Sequence, residues 1–320
     1  MNYRKILAAT AIVLSTVGAA SAQQKLLIGS TSSSSSQYGY FVAVSQLINS
    51  KVQGIDSAVV ETGATIDNLR RLDRKQIDLG LVTTNTGYQA YAGTDGFKGK
   101  PVNVRLLWVY AAAPQNVIVR KDSGVTKLAD LTGKKFNPGL RGSSTEKTTE
   151  AVFNLLGIKV DAARGSTSDI VDAIKDNRAI GYVKSGAGTK LDGSTLDIGT
   201  FTPIQVVSLT QEQADKISKD MPDLGVVKVP AGAADGVPAY TTWSFGLAVV
   251  ARADMPDDVA YKIVKAIAED KTVQANALAE LKGADIAQMT LDYGSLPLHP
   301  GAAKYLREKG LTIPARIAPK

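Results

Sequence analysis

Leu26-Leu27-Ile28-Gly29 runs directly into Ser30-Thr31-Ser32-Ser33-Ser34-Ser35-Ser36, which is followed by Gln37-Tyr38-Gly39-Tyr40-Phe41. Residues 26–29 read as a short buried strand. Phe41, Val44, Leu47 and Ile48 then fall on one face of a helix that begins near Gln37. Hydroxyls and free backbone N–H groups gathered at a helix N-terminus suit a carboxylate, sulfonate or phosphate. A Ser-rich tract can also be a flexible linker, but a linker has no reason to join a strand to a helix of one unit. The serine run is therefore read as an anion cradle, with Ser32, Ser33, Ser34, Ser35 and Ser36 as candidate ligand residues.

The alternation continues outward from this stretch. Strands are predicted at 26–29, 58–62, 79–83, 106–111, 117–120, 135–138, 180–184, 203–208 and 245–251. Helices are predicted at 37–50, 66–73, 146–156, 168–176, 210–219, 256–270 and 300–309. Such alternation argues an α/β fold with mostly parallel sheets. Two further strands end in small polar residues that open helices. One is Glu61-Thr62-Gly63-Ala64-Thr65, with Thr65 as a capping residue. The other is Asn137-Pro138-Gly139-Leu140-Arg141-Gly142-Ser143-Ser144-Thr145. Ligands of open α/β sheets sit beyond the carboxyl ends of strands, so the three helix starts predict one cleft assembled from distant segments. The apolar pattern breaks at 110–114 and again at 232–238. Read as hinges, these breaks make the middle of the chain an inserted second domain. The expected division is 23–112 with 241–320 as one lobe and 113–240 as the other. The polar, Gly-rich stretch 186–200 reads as a surface loop.

Composition removes several classes of function. The chain has 320 residues, no cysteine, one histidine and a net charge of +7. Cysteine nucleophiles, thiolate metal sites and disulfide scaffolds are excluded, and a transition-metal site is not expected. Lys and Arg are scattered, with no stripe of the kind nucleic acid requires. Arg4 and Lys5, the apolar run 6–20 and Ala20-Ser21-Ala22 have the pattern of a signal peptide cleaved after Ala22. No second long apolar segment follows, so a soluble exported protein is expected.

Several segments together resemble the TAXI solute-binding receptors of tripartite ATP-independent periplasmic (TRAP) transporters. They are Gly29 to Tyr38, Glu61 to Leu69, Asp78-Leu79-Gly80-Leu81-Val82-Thr83-Thr84-Asn85 with Tyr88 and Tyr91, and Asp122 to Leu131. Gly142-Ser143-Ser144-Thr145-Glu146, Ala253 to Tyr261, and Leu298-His299-Pro300-Gly301-Ala302-Ala303-Lys304-Tyr305 complete the match. The first loop carries serines where that family usually has glycines. Thr83-Thr84-Asn85 stands where it commonly has Gln-Ser-Asp, and Ser144 replaces a glycine. The resemblance implies two α/β lobes of the type II-like periplasmic binding-protein class, joined by a hinge, with the ligand cleft between them. It also implies a small organic anion such as glutamate or 2-oxoglutarate, a membrane permease of small and large subunits, a periplasmic location and a monomer.

The cleft chemistry then has named candidates. One lobe offers Ser32 to Ser36, Thr62, Gly63 and Asn85. The other offers Arg141 as a bidentate carboxylate clamp, with Ser143, Ser144 and Thr145 at a helix start. Tyr38 and Trp243 are candidates to pack on the ligand's carbon skeleton. No cofactor or metal is expected. A ligand sensor that docks on a signalling receptor would use the same cleft. An enzyme reading also exists: Ser144-Thr145-Glu146-Lys147 fits the S-x-x-K of serine acyl enzymes, and Lys184-Ser185-Gly186 resembles their K-T-G element. No S-x-N element lies between them. His299 is expected in a structural turn, and Asp257-Asp258 in a first helical turn.

Overall fold

The computed structural model describes residues 23–221 and 223–320. The expected signal peptide, 1–22, lies outside the described residues. β1 (Gln24–Gly29), α1 (Ser36–Lys51), β2 (Ile55–Val60), α2 (Thr65–Asp73), β3 (Leu79–Thr83) and α3 (Thr84–Ala92) open the first lobe. β1 pairs in parallel with both β2 and β3. β4 (Val104–Arg120) carries the chain into the second lobe. There β5 (Lys135–Asn137), α4 (Ser144–Leu155), β6 (Asp161–Ala162), α5 (Thr167–Lys175), β7 (Gly181–Ser185), α6 (Gly193–Phe201) and β8 (Ile204–Val206) follow. α7 (Gln211–Asp220) and β9 (Gly225–Val229) lead to β10 (Tyr240–Arg252), which returns to the first lobe. α8 (Asp257–Glu269), α9 (Val273–Ala277), α10 (Ile286–Tyr293) and α11 (Pro300–Glu308) complete it.

The strand order is β2-β1-β3-β10-β4-β7-β5-β6, with β8 beside β4 and β9 beside β10. β10 is antiparallel to β3 and β4, and β7 is antiparallel to β4. β4 changes partner in mid-strand: Pro114 is paired with Ser244 of β10, and Gln115 with Ser185 of β7. The two lobes are thus strung on continuous strands. The break expected at 110–114 is strand throughout, and all of β4 except Arg105 and Ala112 is buried. A strand buried on both faces shows no alternation in its sequence. The stretch expected as a loop at 186–200 contains most of α6. Gly193 and Gly199 give that helix low intrinsic propensity. It forms because Asp192 caps it, accepting the Ser194 N–H at 3.0 Å, and because Ile198 is fully buried. Among the described residues, no helix is long and apolar enough to cross a membrane.

The first core is built where the sequence pattern places it. Phe41, Val44 and Ile48 of α1 are fully buried in one core cluster with Leu26 and Ile28 of β1. Tyr40 stacks on Tyr110 at 4.1 Å and receives the Trp108 indole N–H at 2.9 Å. His299 caps α11: its Nδ1 accepts the Gly301 N–H at 3.2 Å, so the proton sits on Nε2, 3.0 Å from the Met255 carbonyl. Burial pushes this imidazole below its ordinary pKa against the opposing pull of Asp257. The unfolded chain takes up a proton below pH about 6.5 and the folded chain resists it. Stability is therefore expected to fall as pH drops below about 6.5, by up to about 1.4 kcal/mol per unit. His299→Asn retains a capping side chain and should flatten that slope in thermal melts. An identical slope in the variant would assign it elsewhere.

Candidate functional site

Four helices begin at one cavity between the lobes. Their capping residues, Ser35 of α1, Ala64 of α2, Thr83 of α3 and Ser143 of α4, all line it. Three come from the first lobe and one from the second. Each helix N-terminus carries about half a positive charge, so the arrangement favours an anion before any ionised side chain is counted. The Ser35 hydroxyl accepts the Gln37 N–H at 3.3 Å, and Ser143 accepts that of Glu146 at 3.0 Å. Gly139, at φ +142°, allows α4 to start here, because a Cβ at that position would lie 2.5 Å from the Glu146 nitrogen.

Ala64 starts α2 at φ 65°, ψ −147°, a conformation costly for a residue with a Cβ. It is held by its N–H to Thr62 Oγ1 (3.2 Å) and by the Thr62 hydroxyl to the Ser30 carbonyl (2.8 Å). The cation on the cavity wall is Lys184, at the end of β7, with a side chain 12 % exposed. Gln37 adds a donor. Its Oε1 accepts from the Tyr110 hydroxyl at 2.7 Å, which leaves Nε2 buried with no partner among the described residues. A wall of helix starts, hydroxyls, one amide donor and one ammonium can hold a small anion without catalysing anything.

The serine run divides. Ser32 is buried, 2.9 Å from the Ser34 hydroxyl, whereas Ser33 and Ser34 are exposed. Ser33 is tied through its N–H to Glu61 at 2.8 Å. Ser35 and Ser36 form the cradle, and the cradle holds an anion supplied by the chain itself. Asp192 Oδ2 accepts from the Ser35 hydroxyl (2.8 Å), the Ser36 hydroxyl (2.8 Å) and the Ser36 N–H (3.2 Å). Burial alone would raise this carboxyl. Lys184, 3.7 Å from Oδ1, and the bonds from Ser194 and Ser36 outweigh burial and keep it below the ordinary carboxylate range.

Ser144 and Thr145 line the cavity with Ser143. Ser144 Oγ lies 2.7 Å from Thr83 Oγ1 and 2.6 Å from Thr86 Oγ1, across the lobe boundary. Thr145 Oγ1 lies 2.7 Å from Ser185 Oγ. Thr62 and Gly63 support the wall without lining it. A Cβ on Gly63 would sit 3.0 Å from the Arg141 carbonyl, so the two lobes' backbones meet there. The Ile66 N–H donates to the Gly142 carbonyl at 3.1 Å in the same seam.

Asn85 is buried behind Thr83, its Oδ1 accepting from that hydroxyl at 2.7 Å, and it faces an adjacent cavity of ≈ 350 Å³. Arg141 is exposed and does not line the anion cavity; the turn that fixes its backbone against Gly63 leaves the guanidinium in solvent. Tyr38 is half-buried and also outside the cavity wall. Trp243 is fully buried in β10, edge-on to Phe153 at 6.5 Å, as a core residue.

The acyl-enzyme reading fails on geometry. Lys147 Nζ is bound to Gln89 Oε1 at 2.7 Å and to Asp95 at 2.5 Å, away from the Ser144 hydroxyl's threonine partners. A lysine held by Gln89 and Asp95 is not placed to act as the base for Ser144. Gln37 and Asp192 are the functional candidates missed in sequence, while Lys184 and Thr83 enter the sequence reading only as part of a K-T-G-like element and of Thr83-Thr84-Asn85. Asp192-Gly193-Ser194 carried a capping signal, and Lys184-Ser185 followed the strand-then-small-polar pattern used for the other loops.

Hydrogen bonds run between the lobes from Ser35 and Ser36 to Asp192 and from Ser144 to Thr83 and Thr86. The cavity at the four helix starts measures ≈ 50 Å³, room for little more than ordered water. A larger cavity of ≈ 820 Å³ lies beyond Ser36 and Gly193, with Lys121, Lys190, Asp235 and Glu280 beside Leu191 and Leu196 in its wall, and the four helix caps do not reach it.

Two α/β lobes on shared strands, with polar helix starts facing across a cleft, frame the candidate site. A profile of the NMT1-like family matches residues 28–310, and the chain belongs to that family. The fold is shared with the ligand-binding component of an ABC-type import system from Staphylococcus aureus (TM-score 0.50, 14% identity, covering 93% of this chain and 97% of that one). It is shared with an ancestral arginine-binding protein bound to arginine (0.50, 17%, 80% and 97%). It is also shared with a structure concerning glutathione import via GshT and the cystine importer TcyBC of Streptococcus mutans (0.52, 12%, 82% and 97%).

Proposed function

We propose that the protein is a periplasmic receptor of the TAXI type that captures a small organic anion by lobe closure and delivers it to the membrane subunits of a TRAP permease. The observation that carries the ligand class is the meeting of Ser35, Ala64, Thr83 and Ser143, four helix caps, with Lys184 at one cavity. A carboxylate would take Lys184 as its charge partner and the hydroxyls of Ser143, Ser144, Thr145 and Thr83 as donors. The lobes, 23–112 with 241–320 and 113–240, would pivot at mid-strand, near Gln115 of β4 and Ser244 of β10. The TRAP assignment rests on the segment-by-segment resemblance.

A thermal-shift screen tests the ligand class. Small organic acids should raise the melting temperature, since a ligand at a hundred times its Kd adds about 2.7 kcal/mol to the folded state. Neutral sugars should not. A screen in which only sugars respond would reject the anion reading. Uptake with the cognate permease should persist when ATP is depleted and an ion gradient is kept; uptake that stops would reject the TRAP partner.

A further inference from the structure

We propose that Asp192 is a resident carboxylate that fills the serine cradle from the opposite lobe, latches the closed form, and confines an incoming anion to the Lys184 end of the cleft. The latch stands on geometry alone; its consequence for the ligand rests on the receptor reading above. Asp192 belongs to the second lobe, where it caps α6, and its side chain is fully buried. Its two oxygens have different employers. Oδ1 faces its own lobe and accepts from Ser194 N–H (3.0 Å) and Ser194 hydroxyl (2.6 Å). Oδ2 faces the first lobe and accepts three bonds from Ser35 and Ser36. The Gly193 N–H adds a fourth contact across the boundary, 3.3 Å from the Ser36 hydroxyl.

The start of α1 thus meets the start of α6. Two positive helix ends facing each other repel, and a carboxylate between them is bound by both. At the start of α1 the Ser35 and Ser36 donors are taken by Asp192, and the Gln37 side-chain amide is what remains for a second anion. The ligand's anionic group is left with α2, α3, α4, the Gln37 amide and Lys184, whose charge it would share with Asp192 3.7 Å away. With one such place available, monoanions are the favoured class, and a dianion finds its second site filled.

The test uses Asp192→Ser in the full mature chain. Serine keeps a capping hydroxyl for α6 but is too short to reach Ser35 and Ser36. Small-angle scattering without ligand should show a compact wild type and an expanded variant. Acetate at tens of millimolar should restore compactness and melting temperature to the variant, where chloride at equal ionic strength should not. Ser36→Ala, which leaves Asp192 in place and removes two of the contacts, should expand the protein part-way. In calorimetry, the affinity ratio of succinate to butyrate should rise about tenfold in Asp192→Ser.

Equal dimensions for ligand-free wild type and both variants would overturn the latch. Lost stability in Asp192→Ser with no rescue by acetate would reduce Asp192 to a helix cap and equally overturn it. An unchanged succinate-to-butyrate ratio would overturn the confinement of the ligand. Scattering of ligand-free protein needs no ligand, so failure of the anion screen and failure of the latch are read separately.

Discussion

Replacing Lys184 with glutamine is expected to lower affinity for a small organic acid by about 10- to 100-fold in calorimetry. A hydrogen bond to a charged group is worth about 1.5–3 kcal/mol, and each 1.4 kcal/mol is tenfold. The estimate applies here because the side chain is only 12 % exposed, so water cannot replace it at the ligand. Stability should fall as well, since Asp192 loses its cation. That loss is moderated because the carboxylate keeps five hydrogen bonds, from Ser35, Ser36 and Ser194. Lys184→Arg should retain charge and most of the affinity. The comparison is made well below the melting transition, so that binding is read per folded molecule. Unchanged affinity in Lys184→Gln would remove this residue from the site and return attention to the exposed Arg141.

Trp243→Ala is expected to have the opposite profile. Deleting a fully buried tryptophan costs about 3–5 kcal/mol, visible as a large drop in denaturation midpoint. Affinity of the molecules that remain folded should stay within a factor of two, because the indole touches Phe153 and not the cavity. Trp243→Phe should cost less than its lost volume suggests. The indole N–H is buried without a partner among the described residues, and phenylalanine removes that unpaired donor. A selective loss of affinity in Trp243→Ala at intact stability would reinstate it as a ligand residue.

These two residues mark what could be read from the chain. Elements closed by local rules were legible. The helix at 37–50 and the strand before it follow from periodicity, and the serine tract between them does cap a helix. What the cap holds was not legible, because Asp192 lies far along the chain and its approach is set by lobe closure. Lys184 stands out in sequence only within a K-T-G-like triplet, and its place among four helix starts is set by the same long-range approach. The long strands were misread for a different reason. β4 is buried on both faces, and β10 has irregular register between Leu247 and Ala248 and between Val249 and Val250. Neither gives the period of two that marks a strand with one wet face. α6 was missed because two glycines lower its propensity while a buried carboxylate at its start, itself bound across the cleft, supports it.

The position of β10 also dictates an order of assembly. It lies between β3 and β4, bonded to both, yet it is the last strand of the chain to be made. The second lobe has its ladder of β4, β7, β5, β6 and β8 complete once Val206 has emerged. The first lobe cannot finish until Tyr240–Arg252 arrives, so β3 waits with an open edge through all of that synthesis. A chain delivered N-terminus first therefore completes its inserted lobe before the lobe that begins it. Its most aggregation-prone surface is the unfilled slot beside β3.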